Sequence, residues 1–136
     1  MKVFLDTNVL AAAIATRGLC AELLEAILQF HELVTCQQVL EELERFLKAK
    51  LRLAPGTVAG YVDLLKEEAV LAQPGERLVL TIKDADDAAI LSCAVAAAAD
   101  VFVTGDKELL DLRKAGGLEI LSPRQFWNRM AGLPEK

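Results

Sequence analysis

The sequence contains one histidine, His31, among 136 residues. Acid–base chemistry by a pair of histidines is therefore excluded, and His31, which follows a helical segment, reads as a helix-end residue. Cysteine is scarce too: Cys20, Cys36 and Cys93 are odd in number, widely spaced and without a C-x-x-C pair, so neither a disulfide framework nor a thiolate zinc site fits. They read as small buried hydrophobes. Aromatics make up only 5% of the chain, which excludes an aromatic-rich binding surface. No G-x-G-x-x-G or P-loop is present to cradle a nucleotide. No apolar run is longer than 93–99, which is far below the about 20 residues that span a bilayer. Asp6 interrupts the N-terminus before a signal-peptide core can form. A cytoplasmic protein with no membrane partner is expected.

Leu, Val, Ile and Ala dominate, with 54% hydrophobic residues overall. At this length the expectation is one domain, 1–136, with a single core. Residues 2–5 read as a buried strand, 21–30 as a helix with Leu23, Leu24, Ile27 and Leu28 on one stripe, and 33–35 as a second strand. A helix over 38–49 carries Val39, Leu43, Phe46 and Leu47. Pro55-Gly56 punctuates the chain and starts another helix, 55 or 57 to 69. The segment 78–82 is left open between strand and extended connection. A helix over 84–99, a strand over 101–103, a helix over 107–114, a strand over 119–121 and a last helix over 123–130 complete the reading. Ala94 and Ala96 to Ala99 read as close packing of a helix on the sheet. Strands alternating with helices imply parallel βαβ units, hence an α/β fold: a three-layer α/β/α sandwich with a mainly parallel central sheet. Apolar Phe126, Trp127 and Met130, with Leu51, Leu53 and Tyr61, form candidate interface surface.

The net charge of −5 argues against a phosphate-binding partner unless the acids are gathered where cations bind. Asp6 ends the first apolar run and Asp106 follows another, Val101-Phe102-Val103. Parallel sheets bind ligands outside the carboxyl ends of their strands, near the point where strand order reverses. Each of these aspartates also suits a helix N-cap, and in isolation either role satisfies the sequence. At about 100° per residue, the stripe of Val39, Leu43 and Phe46 turns Glu41 to solvent and leaves Glu42 and Glu44 on opposite flanks, without choosing between them. In Lys83-Asp84-Ala85-Asp86-Asp87, Asp84 is the natural N-cap, and Asp87, three and four residues before Ile90 and Leu91, lies on the buried face at the helix mouth. Four carboxylates at one sheet edge would repel one another and raise their own pKa values unless a divalent cation neutralised them. Such a hard oxygen site suits Mg²⁺ or Mn²⁺.

In this order and spacing, Val3-Phe4-Leu5-Asp6-Thr7-Asn8-Val9-Leu10, Val39-Leu40-Glu41-Glu42-Leu43, Asp84-Ala85-Asp86-Asp87-Ala88-Ala89-Ile90-Leu91 and Val103-Thr104-Gly105-Asp106 resemble the PIN-domain ribonucleases. The likeness is greatest to the toxin components of toxin–antitoxin pairs and covers nearly the whole chain. It implies a PIN-like fold and metal-site acids at Asp6, Glu42, Asp87 and Asp106. It also implies supporting polar groups at Asn8 and Thr104 and Mg²⁺ or Mn²⁺ as cofactor; Asp84, read above as the N-cap beside Asp87, is the auxiliary candidate that its position alone suggests. The implied partners are an RNA substrate, a cognate antitoxin protein and a second copy in a homodimer. Cys36 departs from the pattern, since similar sequences often carry Ser there, which removes a good hydrogen-bond donor but no ligand. A haloacid-dehalogenase-type phosphatase also starts from a strand-end Asp but wants another two residues on, where this chain has Asn8. Two alternatives stay open: a non-catalytic protein that keeps the fold and uses the acids as caps, and a nuclease of this family outside any toxin–antitoxin pair.

Overall fold

The structure is a computed structural model and describes residues 1–74 and 83–133; the segment 78–82, left open above, lies outside them. The elements in chain order are β1 (Lys2–Leu5), α1 (Thr7–Ala15), α2 (Leu19–Phe30), β2 (Glu32–Cys36), α3 (Gln37–Ala49), α4 (Pro55–Glu68), β3 (Val70–Ala72), α5 (Ala85–Ala96), β4 (Val101–Val103), α6 (Lys107–Leu112), β5 (Lys114–Ala115), β6 (Leu118–Leu121) and α7 (Pro123–Met130). The strands form one sheet in the order β3-β2-β1-β4-β6-β5. Every pairing is parallel except the β5–β6 hairpin. Val3, Phe4 and Leu5 of β1 and Val101, Phe102 and Val103 of β4 are all buried, as expected for central strands covered on both faces. The Phe4 and Phe102 rings stack across the β1–β4 pair with centroids 5.3 Å apart.

The chain leaves β1 for β2 on one side and β4 for β6 on the other, so strand order reverses between β1 and β4. Right-handed crossovers then put α1 to α4 on one face and α5 and α6 on the other. The packing agrees: α1 lies against α2 and α3, α3 against α4, α2 against α7, and α5 against β2 and β3. The result is a three-layer α/β/α sandwich. Among the described residues no helix is long and apolar enough to cross a membrane.

Several elements differ from the sequence reading. Helix α1 was not expected, because Asn-Val-Leu-Ala-Ala-Ala-Ile-Ala is apolar all round and shows no polar stripe to give the 3.6-residue period. β3 is a three-residue edge strand directly after α4, too short to carry an alternation. The helix read as 107–114 stops at Leu112, where Arg113 takes a left-handed conformation with φ 62°. Lys114 and Ala115 then pair back on β6, and Gly116 turns the hairpin with φ 60°. The helix read as 84–99 ends at Ala96. Ala94 and Ala99 are buried while Ala96 and Ala98 face solvent, so only part of that alanine cluster is close packing.

The acid-lined cleft at the strand-order switch

β1 and β4 end side by side, and the backbone N–H of Asp6 donates to Val103 O at 3.0 Å, which fixes Asp6 at the reversal point of the sheet. Its carboxylate is buried, with 6% exposure, and both oxygens are engaged. Oδ1 accepts from Thr7 N–H at 2.8 Å and Oδ2 from the Thr104 hydroxyl at 2.7 Å. Thr104, itself fully buried, accepts in turn from Asp106 N–H at 3.0 Å. One threonine thus ties the two strand-end aspartates together. Asp106 caps α6 by accepting from Glu108 N–H at 2.8 Å through Oδ1. Asn8 Oδ1 accepts from Gly105 N–H at 3.4 Å, so what its amide has left to offer is N–H donation.

Glu42 arrives from α3. The Thr7 hydroxyl donates to its Oε1 at 2.7 Å, and Gln38 Nε2, one helical turn earlier, to its Oε2 at 3.5 Å and to Asp86 O at 3.3 Å. Glu44 is elsewhere, in an exposed ion pair with Lys48 at 2.7 Å. The flank that periodicity left undecided is therefore separated by structure: Glu42 faces the start of α1 and Glu44 faces solvent. Asp84 caps α5 by accepting from Asp86 and Asp87 N–H at 2.8 and 3.2 Å, which leaves Asp87 in the first turn, half-buried beside the others. The bond from the Thr7 hydroxyl to Glu42 crosses 35 positions of sequence, which no spacing rule covers. Gln38 was missed, although its position four residues before Glu42 is a signal.

Asp6, Glu42, Asp87 and Asp106 line one cavity of about 460 Å³. Burial, first, and then the charges of Glu42 and Asp106 hold the Asp6 carboxyl above the usual aspartate range, against the lowering bonds from Thr104 and Thr7. Asp87 is pushed up to about 7 by desolvation, then by Asp84, Asp6, Asp106 and Glu42. A site that raises a carboxylate's pKa to about 7 has the charge and donor set for a divalent cation. The acids do not close into a tight shell: among the described residues no three His, Cys, Asp or Glu groups converge closely enough to hold an ion unaided. Mg²⁺ is held by one or two carboxylates with several waters retained, and an open acid-lined cavity fits that requirement.

Other candidates fall away from this cleft. His31 is the C-cap residue of α2, with Nδ1 3.3 Å from the Met1 amine. A cavity of about 420 Å³ between β3, α5 and the start of α3 has Cys36 and Cys93 in its wall and, among the described residues, no carboxylate. Burial, with Cys93 adjacent, pushes the Cys36 thiol up to about 12, which makes it a poor nucleophile.

Two solved structures share this architecture. VapBC2 from Rickettsia felis, bound to a DNA fragment from their promoter, aligns with TM-score 0.64 and 17% identity over 90% of this chain and 98% of that one. VapBC-1 from nontypeable Haemophilus influenzae aligns with TM-score 0.66 and 20% identity over the same shares. At such identities the likeness is one of fold. No curated protein matches the sequence significantly. The PIN domain family model matches residues 2–108, well over half of the chain and including all four acids of the cleft, so the chain belongs to the PIN-domain family.

Proposed function

We propose that this protein is a divalent-metal-dependent endoribonuclease that hydrolyses RNA phosphodiester bonds, and that it is the toxin of a toxin–antitoxin pair. The observation that carries the reading is the gathering of Asp6, Glu42, Asp87 and Asp106, from four separate segments, into one cavity at the strand-order switch of a PIN-family sheet. A Mg²⁺ or Mn²⁺ ion held by one or two of these carboxylates, with water completing its shell, would neutralise phosphate charge and lower the pKa of a hydrolytic water. The chain supplies the rest. Thr104 and Thr7 N–H orient the Asp6 carboxylate, the Thr7 hydroxyl and Gln38 orient Glu42, and the Asn8 amide has N–H groups to offer a phosphate oxygen. Outer hydrogen bonds of this kind are typically worth about 10–100-fold in metal affinity or activity. The toxin assignment is supported by the fold-level likeness to the two VapBC structures, and it implies an antitoxin that co-purifies, with an Arg set against the carboxylates.

The rival reading, a non-catalytic protein that uses its acids as caps, has a specific observation behind it: Asp6, Asp84 and Asp106 are all N-caps. It leaves Glu42, in the interior of α3, and Asp87 without a role. The deciding test is RNA cleavage by the purified protein with Mn²⁺ or Mg²⁺ and with EDTA, on wild type, Glu42→Gln and Glu44→Gln. Cleavage should require metal. Glu42→Gln should lower it by at least about a hundredfold, beyond what an orienting partner costs, and Glu44→Gln by less than about twofold, since an exposed i,i+4 pair contributes little. Equal, mild losses would return Glu42 to a purely structural role.

A homodimer belongs to the same proposal. Phe126 drops out of the candidate interface because it is fully buried, but Phe30, 74% exposed, joins Trp127 and Met130 around a groove of about 330 Å³. Tyr61 has exposed Leu64, Val70 and Leu71 as further apolar surface. Light scattering at micromolar concentration should give twice the chain mass of 14.8 kDa; a monomer across that range removes the dimer.

A further inference from the structure

Glu42 and Asp87 reach the cleft from different layers. α3 packs against α1, α4 and β2, whereas α5 lies on the other face against β2 and β3, so packing of one helix on the other does not set the spacing of the two carboxylates. One side chain crosses the gap. Gln38 Nε2 donates to Glu42 Oε2 at 3.5 Å and to Asp86 O at 3.3 Å; among the described residues, the second of these is the one hydrogen bond between α3 and α5. An amide nitrogen carries two N–H groups and the amide oxygen none, so two acceptors at one end fix which end is nitrogen. The peptide group that Gln38 reaches is the one that leads into Asp87. Its C=O, of Asp86, accepts from Gln38, and its N–H, of Asp87, donates to Asp84 Oδ1 at 3.2 Å. Both groups lie in one rigid plane, so a peptide held at each end has little freedom to turn, and the Asp87 Cα rides on it. Glu42 is held in the same way, with the Thr7 hydroxyl on one oxygen and Gln38 on the other.

We propose that Gln38 is a positioning residue: its one amide nitrogen grips Glu42 and the peptide ahead of Asp87 together, and so sets the separation of two cation-binding carboxylates that come from opposite layers of the sandwich. The inference rests on the metal-dependent reading above and adds to it a residue that carries no charge and touches no substrate. A neutral donor suits the task. A Lys or Arg would satisfy the same acceptors but would set a positive charge where the cation binds, whereas an uncharged amide holds both groups without competing for that place. Glu42 is among the charges that raise Asp87, so the two carboxylates repel and, unbraced, move apart. Part of the binding free energy of a cation then goes into drawing them back, which is the loss that preorganisation avoids. Both Gln38 bonds are at the long end of the hydrogen-bond range. That places the expected effect at the low end of the about 10–100-fold span for outer hydrogen bonds at metal sites.

The test compares wild type with Gln38→Met, which keeps the side-chain length and removes both donors, and with Thr7→Val, which removes only the other donor to Glu42. Mn²⁺ affinity is read from the electron paramagnetic resonance signal of the free ion, and amide hydrogen exchange is followed at 86–88, in the first turn of α5, without metal. Gln38→Met should weaken Mn²⁺ binding by about tenfold and speed that exchange severalfold. Thr7→Val should weaken Mn²⁺ binding too but leave exchange in α5 unchanged. The melting temperature of Gln38→Met should stay within a few degrees of wild type, because Gln38 also borders the cavity of about 420 Å³ beside β3 and α5, which leaves a thioether room. In an Asp87→Asn background Gln38→Met should cost much less Mn²⁺ affinity than in wild type, since one of the two charges it spaces is gone; that non-additivity identifies the coupled groups. With Mg²⁺ and RNA, kcat should fall about tenfold while KM stays within about twofold, as for a residue away from the substrate. Wild-type Mn²⁺ affinity in Gln38→Met, an equal loss in the Asp87→Asn background, or unchanged exchange in α5 would each overturn the proposal. If wild type bound no Mn²⁺, the metal-dependent reading would fail on its own, and the exchange comparison would still decide whether Gln38 braces α5.

Discussion

Asp106→Asn should lower metal-dependent RNA cleavage by at least about a hundredfold while the melting temperature stays within a few degrees of wild type. The activity loss follows because the change removes a charge from the acid cluster, and groups that only orient such a cluster already cost about 10–100-fold. The fold is spared for a reason visible in the hydrogen bonds. Asp106 engages one oxygen, Oδ1, as the cap of α6, and an asparagine Oδ1 caps as well as an aspartate. Asp6→Asn is a less clean experiment than the same substitution looks from sequence alone. Both Asp6 oxygens accept, one from Thr7 N–H and one from the Thr104 hydroxyl, so the amide NH₂ must face one of those donors inside a buried pocket. A buried donor left without an acceptor costs about 1–3 kcal/mol, and Asp6→Asn should lose stability as well as activity. Cleavage assays beside thermal melts of both variants separate the two effects. Wild-type cleavage by Asp106→Asn would remove Asp106 from the site.

This contrast also marks where sequence reading stopped. The strand-end positions of Asp6 and Asp106 were legible because Val3-Phe4-Leu5 and Val101-Phe102-Val103 are short apolar runs that only central strands explain. Each run is followed within three residues by one suited to cap the next helix. Asp84 as N-cap and Asp87 inside the first turn were legible for the same local reason. The helical period could exclude Glu41 and could do no more, since the separation of Glu42 from Glu44 depends on α3 packing against α1 and on a hydroxyl, Thr7 Oγ1, far away in the chain. Tertiary hydrogen bonds leave no periodicity. Phe46 falls on the same stripe as Val39 and Leu43 and packs against the core as that spacing implies, while its half-buried ring also lines the cavity beside the alanines of α1. The β5–β6 hairpin had a signal that was passed over, Gly116-Gly117, a pair suited to a tight turn.

The second large effect is the response of stability to metal and pH together. Without metal, Asp87 holds its proton up to about 7 against a usual value of 3.8, through desolvation and then the charges of Asp84, Asp6, Asp106 and Glu42. Between about pH 4 and pH 7 the unfolded chain has released this proton and the folded chain has not, so the folded state binds more protons and stability falls as pH rises. The direction is opposite to that of a salt-bridged aspartate, and the raised Asp6 carboxyl adds to it. A bound divalent cation displaces the protons and reverses the trend, because it favours the ionised form of every acid in the cleft. At pH 7–8, Mn²⁺ at about 100 times its Kd stabilises by RT ln(1 + [L]/Kd), about 3 kcal/mol. For a chain of this size that corresponds to a rise in melting temperature of about 10 °C. The gain should shrink toward pH 4–5, where protons compete for the same oxygens. In Asp106→Asn it should shrink at every pH, because one of the proposed ligands and one of the charges that raise Asp87 are both gone. Scanning fluorimetry across pH 4–8 with and without Mn²⁺, on wild type and this variant, reads all three statements. A shift of equal size in Asp106→Asn would place the cation elsewhere, and an apo stability that does not fall between pH 4 and 7 would show that the four carboxylates do not share one field.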